Sequence, residues 1–122
     1  MQKINIGLIG FGTVGTGVVR VLRENAKVIQ ERLGAEIVLK KIADKDTTRD
    51  RGVEVDKSIL TMDANDIIND PSINIVIELV GGIEPAKTFI LKALNNKKHV
   101  VTANKALLSQ HGEEIFKAAA KN

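Results

Sequence analysis

The sequence predicts an α/β domain in which helices cover both faces of a doubly wound parallel β-sheet, giving three layers (α/β/α). Short apolar segments alternate with segments of helical spacing in the order β-α-β-α-β-α-β-α, which is typical of parallel strands joined by right-handed crossovers. The predicted strands are apolar along their length, as a sheet buried on both faces requires. The 122 residues are enough for one compact domain and too few for two.

The first half of the chain predicts two strands and one long helix. Residues 4–9 form an apolar strand, and residues 36–43 form the second. Between them, apolar residues recur at steps of three or four and predict one face of a single helix that ends at Gly34. These residues are Val14, Val18, Leu22, Ala26, Ile29 and Leu33. The polar residues 44–58 predict a loop.

The second half predicts two strands and three helical segments. Residues 63–69 form a short helix that stops at Asp70-Pro71, and residues 73–79 form a β-branched strand. A helix follows, with Pro85 in its first turn and Asn95-Asn96 at its end. Residues 99–102 predict the fourth strand. Residues 105–108 and 113–121 predict one broken helix or two short ones.

Composition excludes several classes of function. The net charge of +3 comes from scattered residues, and the chain has three Phe but no Trp or Tyr, so we expect no nucleic-acid partner. No apolar run approaches the roughly 20 residues that span a bilayer, so we expect no membrane partner. The absence of Cys, with two His, predicts no metal site. A strand pattern starts at the N-terminus without a leader, which favours the cytoplasm.

The segment Gly10-Phe-Gly-Thr-Val-Gly15 fits the pattern G-x-G-x-x-G between a predicted strand and a predicted helix, the context that favours a dinucleotide site. Gly10 is expected to allow a tight turn, Gly12 to let a pyrophosphate approach the backbone, and Gly15 to let the helix pack closely. Free amides at the helix start would bind the phosphates. The predicted cofactor-binding residues are Gly10, Phe11, Gly12, Thr13, Val14 and Gly15. A glycine-rich turn without a ligand is the alternative, and Gly17 is expected to serve packing only.

Asp44 ends the second predicted strand, where a carboxylate can accept hydrogen bonds from ribose hydroxyls. A solvated strand-end carboxylate is the alternative. The adjacent Lys45 is expected to be able to meet a 2′-phosphate, with Arg49 and Arg51 as weaker candidates on the same loop. Because the carboxylate repels that phosphate and the ammonium attracts it, the preference between NAD and NADP stays open.

Three segments together go beyond a general nucleotide fold: GLIGFGTVGTGVV at residues 7–19, IVIELVGGIEPA at 75–86 and KHVVTANKALLSQHGEEI at 98–115. They resemble the N-terminal cofactor domain of homoserine dehydrogenase over essentially the whole chain. The resemblance implies a Rossmann-type NAD(P)-binding domain at residues 1–122. In that family the enzyme reduces L-aspartate 4-semialdehyde to L-homoserine with NAD(P)H, on the route to threonine, isoleucine and methionine.

The resemblance also implies roles for particular residues. Gly81 and Gly82 would border the cofactor cleft, and Thr102, Ala103 and Lys105 would lie near the nicotinamide. Lys105 would be the catalytic residue, because an ammonium group can polarise a carbonyl. The family continues into a substrate and dimerisation domain. We therefore expect a fragment of a longer, homo-oligomeric enzyme that alone binds dinucleotide weakly and is inactive.

Other assignments stay open at this point. Glu78 is expected to be either a cofactor-side carboxylate or a satisfied structural acid, and His99 and His111 to be structural or solvated. A free-standing NAD(P)-sensing or interaction module would fit the same fold, although a sensor has no need for Lys105. Aspartate semialdehyde dehydrogenase also begins with a dinucleotide fold, but its nucleophile is a cysteine, which this chain lacks.

Overall fold

The computed structural model describes residues 2–48 and 51–122 and confirms the predicted parallel α/β architecture. The strands are β1 (Gln2–Ile9), β2 (Ala35–Ala43), β3 (Leu60–Thr61), β4 (Ile75–Glu78) and β5 (His99–Thr102). The helices are α1 (Thr13–Glu24), α2 (Ala26–Leu33), α3 (Asn65–Ile68), α4 (Ala86–Asn95) and α5 (Lys105–Lys121). A 3-10 turn at Lys57–Ile59 precedes β3.

The sheet is built outward from β1 in both directions, in the order β3-β2-β1-β4-β5. Every pairing between neighbouring strands is parallel. The direction of winding therefore changes between β1 and β4, and ligands of open α/β sheets bind beyond the carboxyl ends of the strands at such a point. The register aligns the last residues of four strands at this edge: Ala43, Ile9, Glu78 and Thr102.

The core occupies both faces of the central strands. Leu8 and Ile9 point to opposite faces because side chains alternate along a strand. Leu8 packs under α1 with Phe11, Val19 and Ile42. Ile9 packs on the other face with buried residues in and beside α3, β4 and α4, namely Ala64, Ile67, Ile68, Val76 and Ala93. A third cluster joins α4 to α5.

The long helix predicted to end at Gly34 is wrong in two respects. Its span is divided at Asn25 into α1 and α2, with Gly34 ending α2 in the left-handed conformation. The predicted apolar face does not point to the core, since Val14 is 63% exposed and Leu33 is 60% exposed. Close packing of Gly15 against the β1–α1 turn rotates α1, so that its buried residues are Gly15, Thr16 and Val19.

Two further differences concern the edges of the sheet. The sequence did not predict β3, whose two residues are too few to show a periodic pattern. The prediction that every strand is buried on both faces is wrong for β5, because β5 is an edge strand and Val101 is 55% exposed. The break predicted near residues 108–113 is confirmed as a kink in α5 at His111.

Candidate cofactor site

A cleft of about 370 Å³ lies at the carboxyl edge of the sheet, beside the point where the winding changes direction. The β1–α1 turn, the end of β2 and the segment after β4 form its walls. The sequence-predicted residues Gly10, Gly12, Asp44 and Lys45 line it, together with apolar side chains that include Met62, Leu79 and Phe89. A cleft of this composition can hold an apolar ring system next to a charged group.

Three glycines shape the β1–α1 turn, each in a different way. Gly10 has φ of +103°, and a Cβ there would lie 2.9 Å from the backbone of Leu79. A Cβ at Gly15 would lie 2.2 Å from the carbonyl oxygen of Gly10, so the helix packs against the turn. A Cβ at Gly12 would meet no atom within 4 Å, which leaves the backbone open on the cleft side. Gly17 also meets no atom within 4 Å, so the packing role predicted for it is wrong.

The start of α1 has the features of an anion-binding site. Gly12 is its N-cap and supplies no side-chain cap, and the first turn holds no acidic residue. The first amide that finds a backbone acceptor is that of Thr16, which donates to Gly12 O at 2.9 Å. Among the described residues, the amides of Thr13, Val14 and Gly15 therefore have no acceptor. Such amides, aligned with the helix dipole, favour a bound phosphate.

Asp44 connects the end of β2 to the glycine turn. Its Oδ2 accepts a hydrogen bond from the amide of Phe11 at 2.8 Å, and its Oδ1 accepts one from the amide of Asp46 at 2.9 Å. The carboxylate is partly exposed and faces the cleft, as does the exposed Lys45. Asp44 thus fixes the turn and still has lone pairs for ribose hydroxyls.

Arg51 lies against Asp44 rather than in solvent. Its guanidinium is 3.4 Å from Asp44 Oδ1, donates to the carbonyl oxygens of Phe11 and Asp46, and stacks 4.5 Å from the centre of the Phe11 ring. The side chain is only 4% exposed. Arg49, the other weak candidate for a 2′-phosphate, lies outside the described residues.

Glu78 is a buried acid at the end of β4, outside the residues that line the cleft. It is 1% exposed, and its Oε2 accepts from the amides of Val80 at 2.7 Å and Gly81 at 3.4 Å. Its Oε1 accepts from the hydroxyl of Thr102 at 2.8 Å. These bonds support the structural alternative predicted for Glu78, although the residue also borders a smaller pocket with Val14, Gly81 and Ala103.

Lys105 is the first residue of α5 and is exposed beside this smaller pocket's rim residue Asn104. Asn104 is the N-cap, and its Oδ1 accepts from the amide of Leu107 at 3.1 Å. Gly81 and Gly82 both adopt the left-handed conformation, with φ of +80° and +71°, and both are exposed. The carboxyl edge therefore brings together the glycine turns, Asp44, Lys45, Thr102, Ala103 and Lys105.

The remaining candidates lie away from the cleft. His99 is exposed at the start of β5, and His111 lies at the kink of α5, 4.0 Å from Glu114. Within residues 2–48 and 51–122, no cluster of His, Cys, Asp or Glu is large enough to suit a metal ion. No helix in the same ranges has the length and apolar character needed to cross a membrane.

A profile of the NAD-binding domain of homoserine dehydrogenase matches residues 10–122, which include both glycine turns, Asp44 and Lys105. The chain belongs to the homoserine dehydrogenase family. The homoserine dehydrogenase of Bacillus subtilis is 40% identical over 122 residues, which is all of this chain and 28% of that protein. The crystal structure of the S. aureus homoserine dehydrogenase is 45% identical with a TM-score of 0.92, over 99% of this chain and 31% of that one. The chain thus spans less than a third of these two relatives.

A more distant member of the homoserine dehydrogenase family shares the fold. The hyperthermophilic archaeal homoserine dehydrogenase solved in complex with NADPH is 22% identical with a TM-score of 0.74, over 99% of this chain and 42% of that one. The family match agrees with the Rossmann-type NAD(P)-binding domain predicted from the sequence, and these structures share its fold.

Sequence reasoning missed two residues that organise this homoserine dehydrogenase domain. Asn104 was not predicted, although an Asn just before a helical segment is a known N-cap signal. Arg51 was considered only for a phosphate, and its contacts with Phe11 and Asp44 depend on the folding of the loop after β2. No local pattern in the sequence reports such a long-range contact.

Proposed function

We propose that this chain is the cofactor-binding portion of an enzyme that reduces L-aspartate 4-semialdehyde to L-homoserine with NAD(P)H. The observation that carries the proposal is the start of α1, where three amides have no acceptor among the described residues and Gly12 leaves them open to the cleft. The residues present fit a dinucleotide, because a diphosphate can accept from these amides while Asp44 accepts from a ribose.

Two parts of the carboxyl edge of the sheet bind different parts of the dinucleotide in this proposal. The turn from Gly10 to Gly15 binds the pyrophosphate, and Asp44 with Lys45 faces the adenosine ribose. Gly81 and Gly82 follow β4, and Thr102 and Ala103 lie at the end of β5, at the same edge of the sheet. The nicotinamide would lie beside these four residues. A bound nicotinamide supplies the hydride in this chemistry. The protein orients it and excludes competing reactions.

Lys105 is the proposed catalytic residue. Lys105 is exposed at the start of α5, next to Asn104 of the smaller pocket, and within the described residues its ammonium group has no hydrogen bond or ion pair. It can donate a hydrogen bond to a substrate carbonyl oxygen and stabilise the negative charge that develops there as hydride is added. The resemblance alone supports two further parts of the proposal: a homo-oligomeric complete enzyme with a separate substrate domain, and action in the cytoplasm.

The binding part of the proposal is tested by a ¹⁵N NMR titration of this chain with NADH and, separately, with NADPH. We expect weak binding, with the largest amide shifts at residues 12–15, 44–45 and 81–82. Comparison of the two titrations would establish the coenzyme preference. Shifts confined to surfaces away from the carboxyl edge of the sheet would contradict the proposal.

The catalytic part is tested in the complete enzyme that carries this chain. Replacing Lys105 by Met should lower kcat about 100-fold or more while leaving coenzyme affinity near the wild-type value. Lys121→Met is the matched control, because Lys121 is an exposed lysine on the same helix. Equal activity of the Lys105 variant and its control would contradict the catalytic role of Lys105.

A further inference from the structure

The turn formed by Gly81 and Gly82, here called the double-glycine turn, is held by side chains from both sides. Glycine has more backbone freedom than any other residue, and two consecutive left-handed glycines have little intrinsic preference for one geometry. Glu78 accepts from the amides of Val80 and Gly81, which enter the turn. On the far side, Asn104 Nδ2 donates to the carbonyl oxygen of Gly82 at 2.5 Å.

Further hydrogen bonds connect these side chains to the start of α5. Thr102 donates its hydroxyl hydrogen to Glu78 Oε1, and its Oγ1 accepts from the amide of Asn104 at 3.1 Å. Asn104 in turn caps α5 by accepting from the amide of Leu107. A continuous chain of hydrogen bonds therefore runs from the double-glycine turn, through the ends of β4 and β5, to the helix turn that starts with Lys105.

We propose that Glu78, Thr102 and Asn104 form a positioning relay that locks the double-glycine turn and the first turn of α5 into one relative arrangement. This inference deepens the proposed function and rests on it. None of the three residues needs to touch the substrate. They act through Lys105 and the turn, so that the ammonium group and the nicotinamide end of the cleft are pre-organised relative to each other.

Two features show why side chains are needed for this task. Glu78 is 1% exposed and lies at the end of a central strand, so its carboxylate is a rigid acceptor that water does not compete for. The side-chain amide of Asn104 forms two hydrogen bonds: its oxygen accepts one from the first turn of α5, and its nitrogen donates one to Gly82. An aspartate at this position would keep the helix cap and lose the bond to the turn.

Asn104→Asp in the complete enzyme is therefore the sharpest test. We expect kcat to fall about tenfold or more with little change in the KM for the aldehyde, because small displacements of a catalytic group lower the rate of the chemical step. The unfolding midpoint should stay near that of the wild type because the cap is retained. Asn25→Asp is the matched control: Asn25 also precedes a helix and also donates its Nδ2 to a backbone carbonyl, that of Val21.

A second pair of variants tests the middle of the relay. Thr102→Val removes the hydroxyl that joins Glu78 to Asn104, whereas Thr102→Ser keeps it. We expect Thr102→Val to repeat the kinetic defect of Asn104→Asp and Thr102→Ser to restore most of the activity. A wild-type kcat in Asn104→Asp, an equal loss in Asn25→Asp, or failure of the serine variant to restore activity would overturn the relay.

Hydrogen exchange in the same protein separates the relay from the proposed function. In Asn104→Asp, the amide of Val80 should exchange faster while the amide of Leu107 stays protected. If the wild-type enzyme fails to reduce the aldehyde, the proposed function fails, and exchange at Val80 still decides whether the relay exists. Unchanged exchange at Val80 would overturn the relay even in an active enzyme.

Discussion

Two polar regions of this domain differ in whether their hydrogen-bonding groups are already used. The first is the cofactor cleft at the carboxyl edge of the sheet. The second is the turn at residues 70–74, which precedes β4. The cleft contains amides without an acceptor among the described residues. In the turn, by contrast, the polar groups already form hydrogen bonds and ion pairs with neighbouring residues. A dense group of charged residues is therefore a weaker sign of a binding site than a few open donors.

The turn at residues 70–74 shows how completely a polar cluster can be used for structure. Lys98 is buried and donates to the carbonyl oxygens of Asp70 and Ile73. Asp70 lies 3.5 Å from the ammonium nitrogen of Lys40 and 3.1 Å from that of Lys41. Two asparagines complete the cluster: Asn5 donates to the Ser72 carbonyl, and Asn74 accepts from the amide of Asn5.

The largest expected effect is a difference in stability between alanine variants at two glycines of α1. Gly15→Ala should lower the free energy of unfolding by about 3 kcal/mol, because its Cβ would lie 2.2 Å from the Gly10 carbonyl oxygen. Gly17→Ala is the control, since a Cβ there would meet nothing within 4 Å. It should raise stability by about 0.5–1 kcal/mol, because alanine is the better helix former. Urea unfolding of both variants measures the difference, and similar losses in the two would contradict this account of α1.

The next effect is a loss of coenzyme binding that leaves the stability of the fold nearly unchanged. Gly12→Val should weaken coenzyme binding about 100-fold, or about 2.7 kcal/mol, because the new side chain would occupy the open space where the pyrophosphate is proposed to approach. The free energy of unfolding should change by less than about 1 kcal/mol, since Gly12 is an N-cap in extended conformation. The NMR titration with NADPH measures the affinity. Wild-type affinity in Gly12→Val would mean that the open amides do not bind the coenzyme.

These two variants also show what the sequence could predict. The spacing of Gly10, Gly12 and Gly15 encodes local backbone demands, so the tight turn and the close helix packing could be predicted before the structure. The outward orientation of Val14 could not, because periodicity defines an apolar face without saying which layer covers it. The bond between Glu78 and Thr102 joins residues that are 24 positions apart, and it forms only when β4 and β5 pair.

A smaller effect is expected in the turn before β4. Lys98→Met should lower the free energy of unfolding by about 2 kcal/mol, because it leaves the carbonyl oxygens of Asp70 and Ile73 without their donor. Burial lowers the pKa of Lys98, and the relief of that buried charge limits the loss. Coenzyme-induced shifts at residues 12–15 should stay as in the wild type. Loss of those shifts in a folded variant would show that the two regions are coupled.

The smallest effect is a pH dependence confined to the same turn. The pKa of Asp70 is well below its usual range, chiefly because the Ser72 hydroxyl donates to the carboxylate, with further contributions from Lys41 and Lys40 and opposition from burial. A lowered pKa in the folded state stabilises the fold above the unfolded pKa of about 4, and this contribution is lost as the pH falls through the folded pKa. Asp70→Asn should therefore cost about 1 kcal/mol at pH 7, and the difference from the wild type should shrink below about pH 4.

The matched control for Asp70→Asn is Glu113→Gln, which removes an exposed carboxylate paired with Lys117 on the surface of α5. Exposed pairs of this kind contribute little, so the control should follow the wild type closely at both pH values. Urea unfolding at pH 7 and at pH 3 measures both variants. A difference between Asp70→Asn and the wild type that stayed the same from pH 7 to pH 3 would mean that folding does not lower the pKa of Asp70, and therefore that the charge of Asp70 does not stabilise the turn.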